Sequence, residues 1–309
     1  MITFRDDIRS QFANTMLEVG TADERLVVIV GDISHFKLQP FAEAAPGRFF
    51  NIGILEQTMV SMSAGFAKIG FLPVAHTIAP FLLERALEQI KLDFGYQKLA
   101  GNFVTVGSAF DYAALGSTHH CYGDFAILKT IPGTEIVFPS DAMEFDELFK
   151  QAYANDRITV YRIPGTSHHA AFARQDISLG RAIRVVEGTD VSLIVTGPEL
   201  DAALAARTSL AARGRSVEVI YVHTIQPLDR ATIRKSVEKT RRAVVVEEHI
   251  RSGGLGLDVL EAVYDVAGLR FAIKCLPDSF QRDYGTYADH VKQCGYDASG
   301  IQSMLASVF

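Results

Sequence analysis

No apolar run in this chain approaches the roughly 18–20 residues that a membrane-crossing helix needs. The opening residues, Met1-Ile2-Thr3-Phe4-Arg5-Asp6-Asp7, hold no apolar core of a secretion signal. No basic block stands out and the formal net charge is -6, which argues against a nucleic-acid surface. Cysteine is scarce. Cys121, Cys275 and Cys294 are three in number and lack CxxC spacing, so a complete disulfide framework is excluded. A reducing cytoplasm is the simplest setting for such a chain. Tryptophan is absent as well, which excludes nothing.

What is present is 309 residues, 48% of them apolar and 21% charged, enough for two globular domains with separate cores. Short β-rich apolar runs alternate with helical patterns. Residues 26–30 read as a buried strand ending at Gly31-Asp32. Residues 58–68, rich in Ala, Ser and Met, read as a helix stopped by Gly70. Strands are expected over 71–75, 103–106, 135–138 and 158–161, with helices over 81–99 and 141–154. Such alternation implies a mainly parallel sheet covered on both faces. Residues 162–180 hold Pro164-Gly165 and two adjacent histidines but no period. Strands over 191–195, 217–222, 243–247 and 271–275 then alternate with helices again. The expected fold class is α/β: two doubly wound domains, 1–166 and 185–309, joined by a linker at 167–184.

In open α/β sheets, ligands bind beyond the carboxyl ends of the strands. In the first domain those ends carry Gly31-Asp32-Ile33-Ser34, residues 77–81, residues 107–120 and Arg162. Glu56 opens a helix just after the turn at Gly53. On local pattern alone it is a first-turn carboxylate favoured by the helix dipole, worth about 0.3–1 kcal/mol. His119-His120-Cys121 invites a zinc reading, but adjacent ligands rarely fit one tetrahedron, so no metal ligand is assigned to this chain. Gly253-Gly254-Leu255-Gly256 lacks full GxGxxG spacing and reads as a tight strand-to-helix turn. His168, His169, His223 and His249 carry no pattern that marks them as catalytic.

Taken in order, several segments resemble the C-terminal half of transketolase, above all the separate C-terminal subunit of split transketolases. They are Asp32, Phe50-Asn51-Ile52-Gly53-Ile54-Leu55-Glu56-Gln57, Gly116-Ser117-Thr118-His119, Pro139-Ser140-Asp141, Tyr161-Arg162, Gly197, Pro227-Leu228 and Glu247-Glu248-His249-Ile250-Arg251-Ser252-Gly253-Gly254-Leu255-Gly256. The resemblance covers essentially the whole chain. It implies a pyrimidine-binding domain followed by a transketolase C-terminal domain, and transfer of a two-carbon ketol unit between sugars through a thiamine diphosphate ylid. Glu56 would hydrogen-bond the cofactor's aminopyrimidine and favour the imino tautomer that acts as base. Phe81 would stack on that ring, with Asp32 and Ile54 beside the cofactor. His119, or its neighbour His120, would meet the sugar's oxygens. Arg9 and Arg162 would hold its terminal phosphate.

The chain departs from the family pattern at Leu115, Gly107-Ser108, Phe36, Ile78 and Glu84, and its loop Asp111-Tyr112-Ala113-Ala114-Leu115 is atypical. A non-standard sugar, with an altered terminal anion, is the expectation. Gly-Asp-Gly, the family's metal–diphosphate motif, does not occur; Gly31-Asp32-Ile33 and Gly123-Asp124-Phe125 lack the second glycine. A partner N-terminal transketolase subunit is therefore expected to bind the diphosphate through Mg2+ or Ca2+, in a two-plus-two (α2β2) heterotetramer. Two alternatives stand: the beta chain of a 2-oxoacid dehydrogenase first component, which usually lacks the Thr-His pair in this register, and a non-catalytic binding module. A deoxyxylulose-phosphate synthase normally carries all three domains on one chain.

Overall fold

The structure, a computed structural model, describes residues 7–309; the first six residues of the expected 1–166 domain lie outside it. Among the described residues the strands are β1 (Leu26–Val30), β2 (Phe49–Asn51), β3 (Leu72–Ile78), β4 (Gly101–Val106), β5 (Glu135–Val137), β6 (Ile158–Ile163), β7 (Ile183–Val186), β8 (Val191–Val195), β9 (Val217–Tyr221), β10 (Thr224–Gln226), β11 (Arg242–Ile250) and β12 (Arg270–Leu276). They form two sheets, ordered β10-β5-β6-β4-β3-β1-β2 and β12-β11-β8-β9-β7. The chain is two mainly parallel α/β units, as the alternation implies.

The pleat explains why both faces are covered. All five residues of β1 are buried. Val27 and Ile29 pack on one side with Met59, Val60 and Phe103, while Leu26, Val28 and Val30 pack on the other with Phe12 and Met16. Alternation of side chains across a strand requires that division.

Three features differ from the sequence expectation. β10 leaves the second half of the chain and pairs antiparallel with β5, so the first sheet takes its edge strand from the other unit. β7 pairs antiparallel with β9, so pairing in the second sheet begins at Ile183. The helix expected over 81–99 is broken into Ala79–Leu83, Leu87–Gln89 and a π-helical turn over Ile90–Tyr96. Beyond β12, the helices Tyr287–Gln293 and Ala298–Ala306 complete the second unit. No helix among the described residues is long and apolar enough to cross a membrane.

Candidate active site

The loops after β1, β3 and β4 converge on one edge of the first sheet, and Glu56 follows β2. Gly53 adopts φ 74, a left-handed turn that glycine makes without strain. Asn51 ties this turn to the loop after β1. Its Oδ1 accepts from Asp32 N at 3.1 Å and Gly53 N at 3.2 Å, and its Nδ2 donates to Asp32 Oδ1 at 3.1 Å.

Glu56 then opens the helix Glu56–Lys68 and is buried at 1% exposure. Its Oε2 accepts from Arg85 Nη1 at 2.7 Å, whereas Oε1 is buried without a partner among the described residues. Buried acceptors are nearly always paired, so the bare Oε1 is a place for an incoming donor. The guanidinium of Arg85 lies 4.3 Å from the centroid of the Phe81 ring, a cation–π contact. His119 meets the same ring edge-on, with centroids 5.1 Å apart. Thr118 Oγ1 lies 2.9 Å from His119 Nδ1. Burial holds the His119 pKa below its ordinary value, which favours the neutral ring.

Tyr112 packs 5.8 Å from His119. A side chain at Gly107 would approach Tyr112 Cε2 to 2.9 Å, and Gly107 has φ 97. The glycine at this departure from the family pattern is thus required by the tyrosine. Arg9, on the helix Ile8–Ala22, donates from Nη2 to Ser34 Oγ at 3.1 Å, and its Nε is buried without a partner among the described residues. Glu56, Phe81, His119, Arg9 and Asp32 all belong to these loops and helix starts. Ile54 is 68% exposed beside Glu56.

Two expected substrate residues sit elsewhere. Arg162 is completely buried at the junction of the two units. Its Nε pairs with Asp124 Oδ2 at 3.3 Å, and its Nη2 donates to the Glu248 carbonyl at 3.1 Å. Its guanidinium lies 4.8 Å from the Phe125 ring and 4.6 Å from Phe138. Enclosed this way, it joins the halves. His120 also turns inward. It bonds Tyr122 through Nδ1 and packs 5.5 Å from His290, and burial, then the charges of His290 and His119, push its pKa down to about 4. The two adjacent histidines therefore point to different places, and His119 is the one on the open loop.

The glycine turn at 253–256 is closed by its own chain. The Glu247 carboxylate accepts from Leu255 N at 2.5 Å and Gly256 N at 3.0 Å, so this helix start is already capped. Burial, opposed by those two bonds, pushes the Glu247 carboxyl up to about 8.

Sequence reasoning missed Arg85 and His76, and it placed Ser34 and Tyr112 in the candidate loops without giving them a role. Arg85 stands four residues after Phe81, the spacing of one turn in the helix expected over 81–99, and that spacing could have found it.

A buried acceptor beside an aromatic ring, at the carboxyl edge of a parallel sheet with a second α/β unit behind it, is the setting of a cofactor-dependent α/β enzyme. The transketolase pyrimidine-binding domain matches residues 6–166 and the transketolase C-terminal domain matches residues 180–301. The chain belongs to the transketolase family. It is 34% identical to one of the subunits of an apulose-4-phosphate transketolase from Phocaeicola vulgatus, over 82% of this chain and 83% of that one. It is 29% identical to a 6-deoxy-6-sulfo-D-fructose transketolase subunit of a Clostridium species, over 83% and 80% of the two chains. Among solved structures, a split gene transketolase described as an inactive beta4 tetramer superposes with TM-score 0.87 at 26% identity, over 98% of each chain.

Proposed function

We propose that this chain is the pyrimidine-binding subunit of a split transketolase that transfers a two-carbon ketol unit between sugars with an anionic end. The observation that carries the reading is Glu56, buried, anchored on one oxygen and bare on the other, beside the Phe81 ring. A general acid–base group needs that combination of fixed place and open valence.

The implied cofactor is thiamine diphosphate, and the residues fit it. Glu56 Oε1 offers an acceptor to an aminopyrimidine, Phe81 an aromatic face, and Asp32 and Ile54 flank the same edge. When bound, thiamine diphosphate supplies the nucleophilic carbon and the electron sink for ketol cleavage. Glu56 holds a proton between its Oε1 and the pyrimidine. His119, its neutral ring favoured by burial and backed by Thr118, gives a ring nitrogen to a sugar hydroxyl or carbonyl oxygen. Arg9 takes the anionic end through its remaining N–H groups.

A partner subunit completes the site, holds the diphosphate through Mg2+ or Ca2+, and assembles two-plus-two with this chain in a reducing cytoplasm. The relatives named as subunits support the need for a partner. So do Ile54 and Leu55, exposed at 68% and 54% beside the buried carboxylate, apolar side chains that a second chain would cover. Relatives named for apulose 4-phosphate and for a sulfonated fructose support a phosphate- or sulfonate-bearing sugar outside the common pentose pair. The test is ketol transfer by the reconstituted pair across phosphorylated and sulfonated sugars. Best turnover with xylulose 5-phosphate and ribose 5-phosphate would sink the non-standard sugar.

A further inference from the structure

His76, near the carboxyl end of β3, is completely buried. Its Nδ1 lies 2.7 Å from the Val104 carbonyl oxygen. A carbonyl only accepts, so Nδ1 carries the proton. Its Nε2 lies 2.9 Å from Ser34 Oγ. Burial, only partly offset by the Val104 bond, pushes the imidazole pKa down to about 3. The ring is therefore neutral, Nε2 is a bare acceptor, and the Ser34 hydroxyl donates to it.

Ser34 Oγ then has only lone pairs left, and these receive Arg9 Nη2 at 3.1 Å. Each proton in the series Arg9, Ser34, His76, Val104 has one direction. Such a series fixes the rotation of the guanidinium and leaves Arg9 Nε, buried and without a partner among the described residues, for another acceptor. The loop is held in place at a cost. Asp32 and Ser34 are non-glycine residues at φ 54 and 57, a left-handed conformation kept where the surroundings impose it.

We propose that His76 is a positioning residue for anion recognition: through Ser34 it aims the Arg9 guanidinium at the tetrahedral oxyanion of the sugar. The inference rests on the assignment of Arg9 to the anionic end. It adds a specificity device in which a core histidine, not a surface one, decides how the arginine is presented. A histidine kept only for packing against Phe12, 4.4 Å away, would need neither the fixed tautomer nor the serine.

The test uses the assembled two-subunit complex. His76→Asn keeps an N–H for Val104 but is too short to reach Ser34. His76→Gln can place an amide oxygen near the position of Nε2. Ser34→Ala breaks the series outside the core. Inorganic phosphate and sulfate are titrated calorimetrically into each, and KM is measured for glyceraldehyde 3-phosphate and for uncharged glycolaldehyde as acceptors. His76→Asn and Ser34→Ala are expected to weaken phosphate binding and raise the KM for the phosphorylated acceptor about tenfold. Values of kcat, and both constants for glycolaldehyde, stay within about twofold, and His76→Gln recovers most of the loss. Sulfate falling in parallel with phosphate extends the site to sulfonates. Unchanged phosphate affinity in His76→Asn, or equal losses with glycolaldehyde, overturns the proposal. If the wild-type complex transfers no ketol unit, the functional reading fails, while the phosphate titrations still decide this inference.

Discussion

Glu56 and Arg85 are joined by a 2.7 Å hydrogen bond that satisfies one carboxylate oxygen and leaves the other buried and bare. Arg85 is in turn seated on the Phe81 ring at 4.3 Å. The carboxylate therefore has a fixed orientation, set by a residue that need not touch substrate. Replacing Glu56 by Gln preserves size and the Arg85 side of the contact but removes the carboxylate's proton affinity. In the assembled enzyme, kcat should fall about 10²–10⁴-fold. The check is steady-state kinetics beside a thermal melt, with the melt little changed.

His119 and His120 should separate cleanly on substitution. His119→Asn is expected to lower kcat/KM for the donor sugar by about tenfold or more with unchanged melting, since its ring lies on the open loop. His120→Phe should alter thermal stability and leave donor kinetics near wild type, because its ring is enclosed by Tyr122, Phe110 and His290.

Arg162 should behave as a structural ion pair. Truncation to Ala strands Asp124, which is 1% exposed, and should cost about 3–5 kcal/mol in denaturant unfolding. The double variant Arg162→Met, Asp124→Leu removes both charges and should recover more than half of that loss. A sugar KM that rises in Arg162→Lys while stability is unchanged would return this arginine to the substrate.

The linker carries a pH-sensitive contact. His168 Nε2 bonds Glu144 Oε1 at 2.8 Å, and Glu144 Oε2 accepts from Ser140 N and from the Tyr221 hydroxyl, each at 2.8 Å. Burial lowers the His168 pKa, but the bond and charge of Glu144 outweigh it and leave the pKa above 6.5. Burial raises the Glu144 pKa, but His168 and its other partners outweigh it and leave the pKa below 4.5. The histidine's contribution is fully present below 6.5 and is lost as pH rises through its folded pKa. The glutamate's contribution is present above 4.5 and is lost as pH falls through its folded pKa. Support from the pair is thus fullest between those ordinary values. Asp141 beside it, pushed up to about 6 by burial and then by the Glu144 charge, also loses its contribution as pH rises. The melting-temperature gap between wild type and His168→Gln isolates the histidine. It should be widest between the ordinary values 4.5 and 6.5 and narrow as pH rises through the folded pKa of His168. A gap independent of pH would show that His168 acts only by packing.

Much of this was legible in the sequence because it is local. Glu56 follows a glycine turn and opens a helix, and most of the central strands of both sheets announce themselves as short apolar runs. The enclosure of Arg162 was not legible because its partners, Asp124, Phe125, Phe138 and Glu248, come from distant parts of the chain. His120 was ambiguous because two adjacent loop residues carry no period that tells inside from outside. The break in the helix expected over 81–99 was hidden because apolar spacing of three to four residues persists through a π-helical turn. β10 is only three residues long and pairs through an irregular register, too short to alternate visibly. His76 lay one residue beyond the strand expected over 71–75, and nothing local ties it to Ser34.

The central claim is that this chain supplies the Glu56 side of a thiamine diphosphate site completed by a second subunit. Its most direct test is ketol transfer measured for this chain alone, for its co-purified partner alone and for the two mixed, each with thiamine diphosphate and Mg2+. Activity that appears only in the mixture, and collapses there with Glu56→Gln, is the predicted result. Full activity from this chain alone, or a mixture indifferent to Glu56→Gln, would contradict it.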